Sequence, residues 1–142
     1  EVFVSVINNV DNFPGIFNAD TAEIIKNVEG TEGRYVYYYF DNPWPIPNLD
    51  LVRHISKAVI LENGDVQIKH TGTPKAYEDK GIKRLEISDL IYTLMIKDDK
   101  STELKIEGRF IPMGAPLMLV KAWLPDGPKE IALKIIRYAE DI

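Results

Sequence analysis

His54 and His70 are the only imidazoles in the chain, and neither stands at i, i+4 spacing from another ligand type. A zinc site needs at least three N, O or S ligands, so the sequence carries no metal motif. With no cysteine present, disulfides, thiolate metal sites and cysteine nucleophiles are excluded. There is no Gly-x-Ser-x-Gly elbow, P-loop or dinucleotide fingerprint, so neither a catalytic residue nor a cofactor is assigned. Ser88-Asp89 interrupts the alternation between Ile87 and Leu90 and reads as a bulge rather than a nucleophile with its orienting group. Asp65 and Asp98-Asp99 sit in turns, where short acidic side chains are expected on local grounds.

Three features remain. Tyr35, Tyr37, Tyr38 and Tyr39 put aromatics on both faces of one strand, which must therefore lie against material on both sides. Inward phenols from this strand would offer hydroxyls to an apolar cavity. Arg53 shares parity with Leu51 and Ile55 and has two readings. Facing inward, its guanidinium needs a carboxylate, water or an anionic ligand head; if the strand bulges, it is a surface charge. His70 shares parity with Val66 and Ile68, so an inward imidazole bordering the core is expected.

The elements that must position these groups follow from pattern. Residues 3, 6, 7 and 10 are apolar at helical spacing, and Asp11-Asn12-Phe13-Pro14-Gly15 stops that helix. Strands are expected over Ala22–Val28 and Arg34–Phe40. A corner with three prolines follows, Asn42 to Pro47, which forbids helix and central strand. Leu51–Leu61 and Val66–Thr71 form a hairpin about Asn63-Gly64. Thr73–Gly81 is a solvated loop, and Lys83–Lys97 pairs with Thr102–Ile111 around Asp98–Ser101. In that last strand apolar and charged residues alternate, which predicts one wet face. Ala115–Leu124 is apolar except at Lys121; with Lys121 outward, Pro116, Leu119 and Trp123 face the interior. Pro125–Pro128 kinks the helix, and Ile131, Ile135, Tyr138 and Ile142 continue its apolar stripe. A sheet with one dry face needs a cover, and the terminal helix is the only element long and apolar enough. The expected class is α+β: a curved antiparallel sheet wrapped around a long C-terminal helix, the helix-grip fold.

At 142 residues, 45% apolar and 27% charged, the composition fits one globular domain over 1–142. The net charge of −5 opposes nonspecific binding to nucleic-acid phosphates, so no nucleic-acid partner is expected. No run approaches the roughly 18 apolar residues of a membrane span. The sequence begins at Glu1 rather than Met, so any targeting signal is out of view and the compartment stays open.

The stretch Tyr39-Phe40-Asp41-Asn42-Pro43-Trp44-Pro45-Ile46-Pro47-Asn48-Leu49-Asp50-Leu51-Val52 resembles the signature of START (steroidogenic acute regulatory protein-related lipid transfer) domains. In that family a tyrosine-bearing strand leads through Pro-Trp-Pro to Arg-Asp and an aliphatic strand; Leu49 stands here where the arginine usually does. Pro74–Lys83, ending Lys80-Gly81-Ile82-Lys83, resembles the family's omega loop. Phe110-Ile111-Pro112 and Gly114–Val120 resemble the entry to its C-terminal helix, and Asp11–Pro14 the end of its early helix. The family's further strand before the Val2 helix has no counterpart here. The resemblance implies a lipid- or sterol-type ligand between sheet and terminal helix, with the omega loop as lid.

Combining parity with that expectation, the ligand-binding residues are Tyr37, Tyr39, Leu51, Arg53, Ile55, Leu104, Ile106, Pro116, Leu119 and Trp123. The partner is a hydrophobic small molecule, with transient membrane contact left open. Two other readings stand beside a non-enzymatic carrier. One is an aromatase/cyclase-like enzyme of the wider Bet v 1-like superfamily, using two of Tyr37, Arg53 and His70 as acid–base groups in a dry pocket. The other is an interaction domain whose cavity has collapsed.

Overall fold

The computed structural model describes residues 1–27, 33–110 and 127–142. Helix α1 (Val2–Asn8) leads through a 3-10 turn at Val10–Asn12 into a second short helix, α2 (Phe13–Phe17). The segment expected only to end a helix thus starts another. Pro14 falls in the first turn, where its missing N–H and fixed φ are compatible with a helix. Asn18, left-handed at φ 56°, ends α2.

Eight strands follow: β1 (Thr21–Asn27), β2 (Arg34–Phe40), β3 (Leu49–Ile55), β4 (Val59–Ile60), β5 (Val66–Gly72), β6 (Lys83–Arg84), β7 (Ser88–Ile96) and β8 (Thr102–Phe110). The main path runs β1-β2-β3-β5-β7-β8 with antiparallel neighbours; β4 pairs with β5, and β6 runs parallel to β3. Helix α3 (Gly127–Glu140) closes the chain. The expected hairpin turns are present: Gly64, at φ 90°, turns β4 into β5, and Asp98 accepts the Lys100 and Ser101 N–H groups between β7 and β8. Two long runs divide. Leu51–Leu61 breaks after Ile55, and Lys83–Lys97 splits because Lys83-Arg84 pairs with Leu49-Asp50 before the chain joins β5 and β8.

Directly opposed residues share a sheet face, so the register sorts the side chains. Tyr38 opposes Leu51, and Val36 opposes Arg53; Tyr37 opposes Val52, and Tyr39 opposes Asp50. The face with Val36, Tyr38, Leu51, Ile55, Ile68 and Tyr92 is the inner one, packed beneath the helices. Val10, Phe13 and Ala19 join Val36, Tyr38, Leu51 and Ile55 in one buried cluster. Val6, Ile7, Ile16 and Ile135 join Ile68 and Tyr92 in another, with Ile131, Tyr138, Leu104 and Ile106 at its margin. Helix α3 therefore lays Ile131, Ile135 and Tyr138 onto the sheet and α1. Ile142, expected on that stripe, is beyond the helix and exposed. A Cβ on Gly15 would collide with the Tyr138 hydroxyl, so a glycine is what lets α2 and α3 approach. Arg34 donates to the Asn8 carbonyl, placing a cation at the C-terminal end of α1.

On β8, Glu103, Lys105, Glu107 and Arg109 are exposed, while Leu104 and Ile106 are half-buried. That is the expected wet-and-dry alternation.

Candidate functional site

Between the inner face and the helices lies a cavity of about 340 Å³. Among the described residues its lining is Phe17 from α2 and Asn18 at its end, Phe40, Leu49, Leu51 and Arg53 from β2 and β3, Asn42 from the loop between them, Leu85, Ser88, Asp89 and Leu90 from around β7, and Ile131 from α3. The volume lies in the range of small-molecule sites, which are mostly apolar with few polar groups.

Among the described residues Arg53 is the cavity's one buried cation. It is 7% exposed, and the register explains how it is held. Gly72 opposes Arg53, and two residues beyond the His70–Leu90 pair the same row reaches Ser88. With no side chain at Gly72, Arg53 extends across it: Nε donates to the Ser88 carbonyl at 3.1 Å and Nη2 to Ser88 Oγ at 2.6 Å. A Cβ at Gly72 would lie 3.1 Å from the Ser88 nitrogen. The guanidinium carbon sits 5.1 Å from the ring centroids of both Phe17 and Tyr38, a cation–π sandwich.

Ser88 thus faces inward because Arg53 needs it there. The expected bulge at Ser88-Asp89 is corrected: β7 and β8 pair without a register shift from Ser88–Phe110 to Ile96–Thr102. An inward polar residue mimicked broken alternation.

Behind Arg53 lies a buried aromatic group. Phe13 stacks on Tyr38 at 5.7 Å between centroids, and His70 meets Tyr92 edge-on at 4.8 Å. Among the described residues the Tyr38 and Tyr92 hydroxyls, both His70 ring nitrogens and Arg53 Nη1 are buried with no hydrogen-bond partner. Burial, reinforced by the charges of Arg53 and Arg34, holds the His70 pKa well below the usual histidine value. Burial likewise raises the Tyr38 and Tyr92 phenols, with the Arg53 charge opposing in each and the close approach of Arg53 to the Tyr38 hydroxyl opposing in the first. Arg53 is therefore backed by neutral groups.

The opposite face carries a different cluster. Tyr37 OH donates to Asp50 Oδ2 at 2.8 Å, and Arg84 grips the same carboxylate through Nε (2.9 Å) and Nη2 (3.0 Å). The remaining Arg84 donors reach the carbonyls of Pro74, Tyr77 and Glu78. Burial and the hydrogen bond to Asp50 push the Tyr37 phenol up. A groove of about 900 Å³ opens beside this loop, lined by residues including Lys75, Tyr77, Ile82 and Ile87.

Of the residues expected to meet a ligand, Leu51 and Arg53 line the cavity. Ile55 shares their face but is packed among Val10, Val36 and Phe13, while Leu104 and Ile106 pack against the Ile68–Tyr92 cluster. Tyr37 and Tyr39 are corrected: they oppose Val52 and Asp50, so they lie on the face away from Leu51 and Arg53. Pro116, Leu119 and Trp123 lie outside the described residues, as does all of 111–126. Phe17, Phe40, Leu49, Leu85, Leu90 and Ile131 also line the cavity and are not among the residues expected from sequence. Phe40 and Leu49 were recoverable, since they form the next same-face pair beyond Tyr38–Leu51. The acid–base trio is not assembled: Arg53 lines the cavity, His70 does not, and Tyr37 is across the sheet. Among the described residues no three His, Asp or Glu stand close enough to hold a metal, and no helix is long and apolar enough to cross a membrane.

Comparison with solved structures decides the fold. The chain superposes on the STAR-related lipid transfer protein of Xanthomonas axonopodis with TM-score 0.80 and 20% identity, over 98% of this chain and 78% of that one. The chain has the START fold. Human STARD10 superposes with TM-score 0.73 and 18% identity over 98% of this chain, which spans 59% of that structure. The lipid transfer and protein localization domain of human StarD13 (DLC2) gives 0.65 and 13%, over 96% and 68%. No family model and no curated protein sequence matches. Within the START fold, the sheet and α3 are the helix-grip expected from pattern.

Proposed function

We infer that this chain binds a hydrophobic small molecule, lipid or sterol-like, between the curved sheet and its helices, and does so without chemical turnover. The observation that carries the reading is the apolar cavity of about 340 Å³, walled by Phe17, Phe40, Leu49, Leu51, Leu85, Leu90 and Ile131. A domain that used its sheet only to bury a helix would fill that space with side chains. The START fold supports the same reading, since the structures it matches are described as lipid transfer domains. Pro116, Leu119 and Trp123 belong to the proposed site through the sequence pattern.

Covering ~400 Å² of hydrocarbon is worth on the order of 10 kcal/mol gross. Association costs remove several kcal/mol, which leaves roughly micromolar binding or tighter. Native mass spectrometry of protein purified from cells tests this. A co-purified lipid mass, or saturable binding of a fluorescent fatty acid or sterol analogue to ligand-free protein, is the expected result. Ligand-free protein that binds neither analogue overturns it. Exchange of a bound analogue between vesicles then separates a carrier from a static binder.

A further inference from the structure

The cavity is apolar, yet a guanidinium that is 7% exposed stands in its wall. Ser88 supplies two neutral acceptors, the rings of Phe17 and Tyr38 supply π faces, and Nη1 makes no hydrogen bond. Among the described residues no carboxylate forms an ion pair with Arg53. Asp89, which borders the same cavity, has Oδ1 on the Gly72 N–H at 2.8 Å and Oδ2 3.5 Å from Arg109 Nη2. Asp50 is across the sheet in the hold of Arg84.

The groups behind Arg53 offer no negative charge. Burial keeps the His70 imidazole neutral and the Tyr38 and Tyr92 phenols protonated. A buried cation without a counter-charge is strongly unfavourable. With the described residues accounted for, the cavity is the side from which compensation comes.

Resting on the binding reading above, we propose that the ligand is an anionic amphiphile, with a carboxylate head against Arg53 and a hydrocarbon tail along Phe17, Phe40, Leu51, Leu85 and Leu90. Arginine suits this role because its planar fork accepts a carboxylate in two parallel hydrogen bonds. Nε and Nη2 are anchored to Ser88, so the guanidinium is held in one orientation before the ligand arrives, which reduces the ordering cost of binding. A neutral alcohol of the same tail would bury the same apolar area and leave the charge uncompensated.

The test compares oleate, oleyl alcohol and acetate by calorimetric titration of the ligand-free 142-residue chain. Oleate is expected to bind at least about tenfold tighter than the alcohol, the worth of one charge-assisted contact, and acetate alone not to saturate. Arg53→Met is expected to bring oleate to within about twofold of the alcohol, and Arg53→Lys to restore part of the preference. Should Arg53→Met fail to fold, carbon-13 NMR of carboxyl-labelled oleate on the unaltered protein carries the question. The bound carboxyl is expected to stay ionised to lower pH than the free acid. Equal affinity for oleate and alcohol overturns the anionic head but leaves the cavity reading standing. Acetate that saturates as tightly as oleate reduces the site to an adventitious small-anion pocket. If neither lipid binds, both readings fall together.

Discussion

The two faces of β3 each bury an arginine-centred cluster, and they are built on opposite principles. On the outer face every donor of Arg84 has an acceptor, and Tyr37 and Arg84 together saturate Asp50. That cluster fastens the 74–79 loop onto the strand, and nothing in it is left for a ligand. On the inner face Arg53 has no counter-ion among the described residues, and five buried polar atoms around it, in Arg53, Tyr38, Tyr92 and His70, lack partners there. Buried polar groups are normally satisfied, and one that is not calls for an explanation. The contrast teaches that burial and charge alone do not mark a site. The satisfied arginine is architecture, and the unsatisfied one is where a partner from outside fits.

The largest expected effect separates the two arginines directly. Asp50 is 0% exposed, so Asp50→Ala strands the Arg84 guanidinium and frees Tyr37; the loss should be about 3–5 kcal/mol of stability. Amide exchange in the 74–79 loop should accelerate with it. Arg53→Met, in ligand-free protein, should cost under about 1 kcal/mol, because an uncompensated cation leaves along with its two bonds to Ser88. Urea unfolding of both variants measures the gap. Comparable losses from the two would erase the distinction.

A second, smaller effect tests the inner cluster through pH. The His70 pKa is held well below 6.5 in the folded chain by burial and then by the Arg53 and Arg34 charges, whereas the unfolded chain titrates near the ordinary value. Below that value the unfolded state takes up a proton that the native state refuses. The His70 contribution is therefore fully present above about pH 6.5 and is lost as pH falls, at up to about 1.4 kcal/mol per pH unit. Urea midpoints at pH 7.5 and 5.5 should diverge in the parent chain and converge in His70→Phe. The same drop in both would mean that His70 is protonated in the native state, with an acceptor nearby.

Much of this arrangement is legible in the chain and some of it is not, for reasons that differ by residue. Arg34–Phe40 is bounded as its residue types suggest, the Asn63-Gly64 turn follows from glycine's freedom at positive φ, and the helix-grip follows from one dry face needing one cover. Alternation within a strand shows which residues share a face. It does not show which face of one strand continues which face of the next. That depends on pairing register, and parity alone puts Tyr37 and Tyr39 with Leu51 and Arg53 across such a gap. Register places Tyr38 beside Leu51 instead. Ser88 reads as a bulge in sequence since its reason for facing inward, Arg53, lies 35 residues away. The Asp50–Arg84 pair has no local signature either, being set by a parallel pairing of two residues.

The smallest expected effect is the most informative about the inner cluster. The Tyr92 hydroxyl is buried without a hydrogen-bond partner, so its desolvation is not offset by any bond in the native chain. Tyr92→Phe keeps the ring, and with it the packing against His70 and Ile68. The substitution should leave stability unchanged or raise it by up to about 1 kcal/mol. Tyr37→Phe, which deletes a bond to a charged carboxylate on the other face, should instead cost about 1.5–3 kcal/mol. Denaturation midpoints of the two variants, one ring oxygen removed from each side of the same sheet, give the comparison its sharpest form. If Tyr92→Phe loses more than about 1 kcal/mol, its hydroxyl has a partner in solution. The inner face would then belong with the outer one as self-sufficient structure, and the case for an incoming head group would have to rest on Arg53 Nη1 alone.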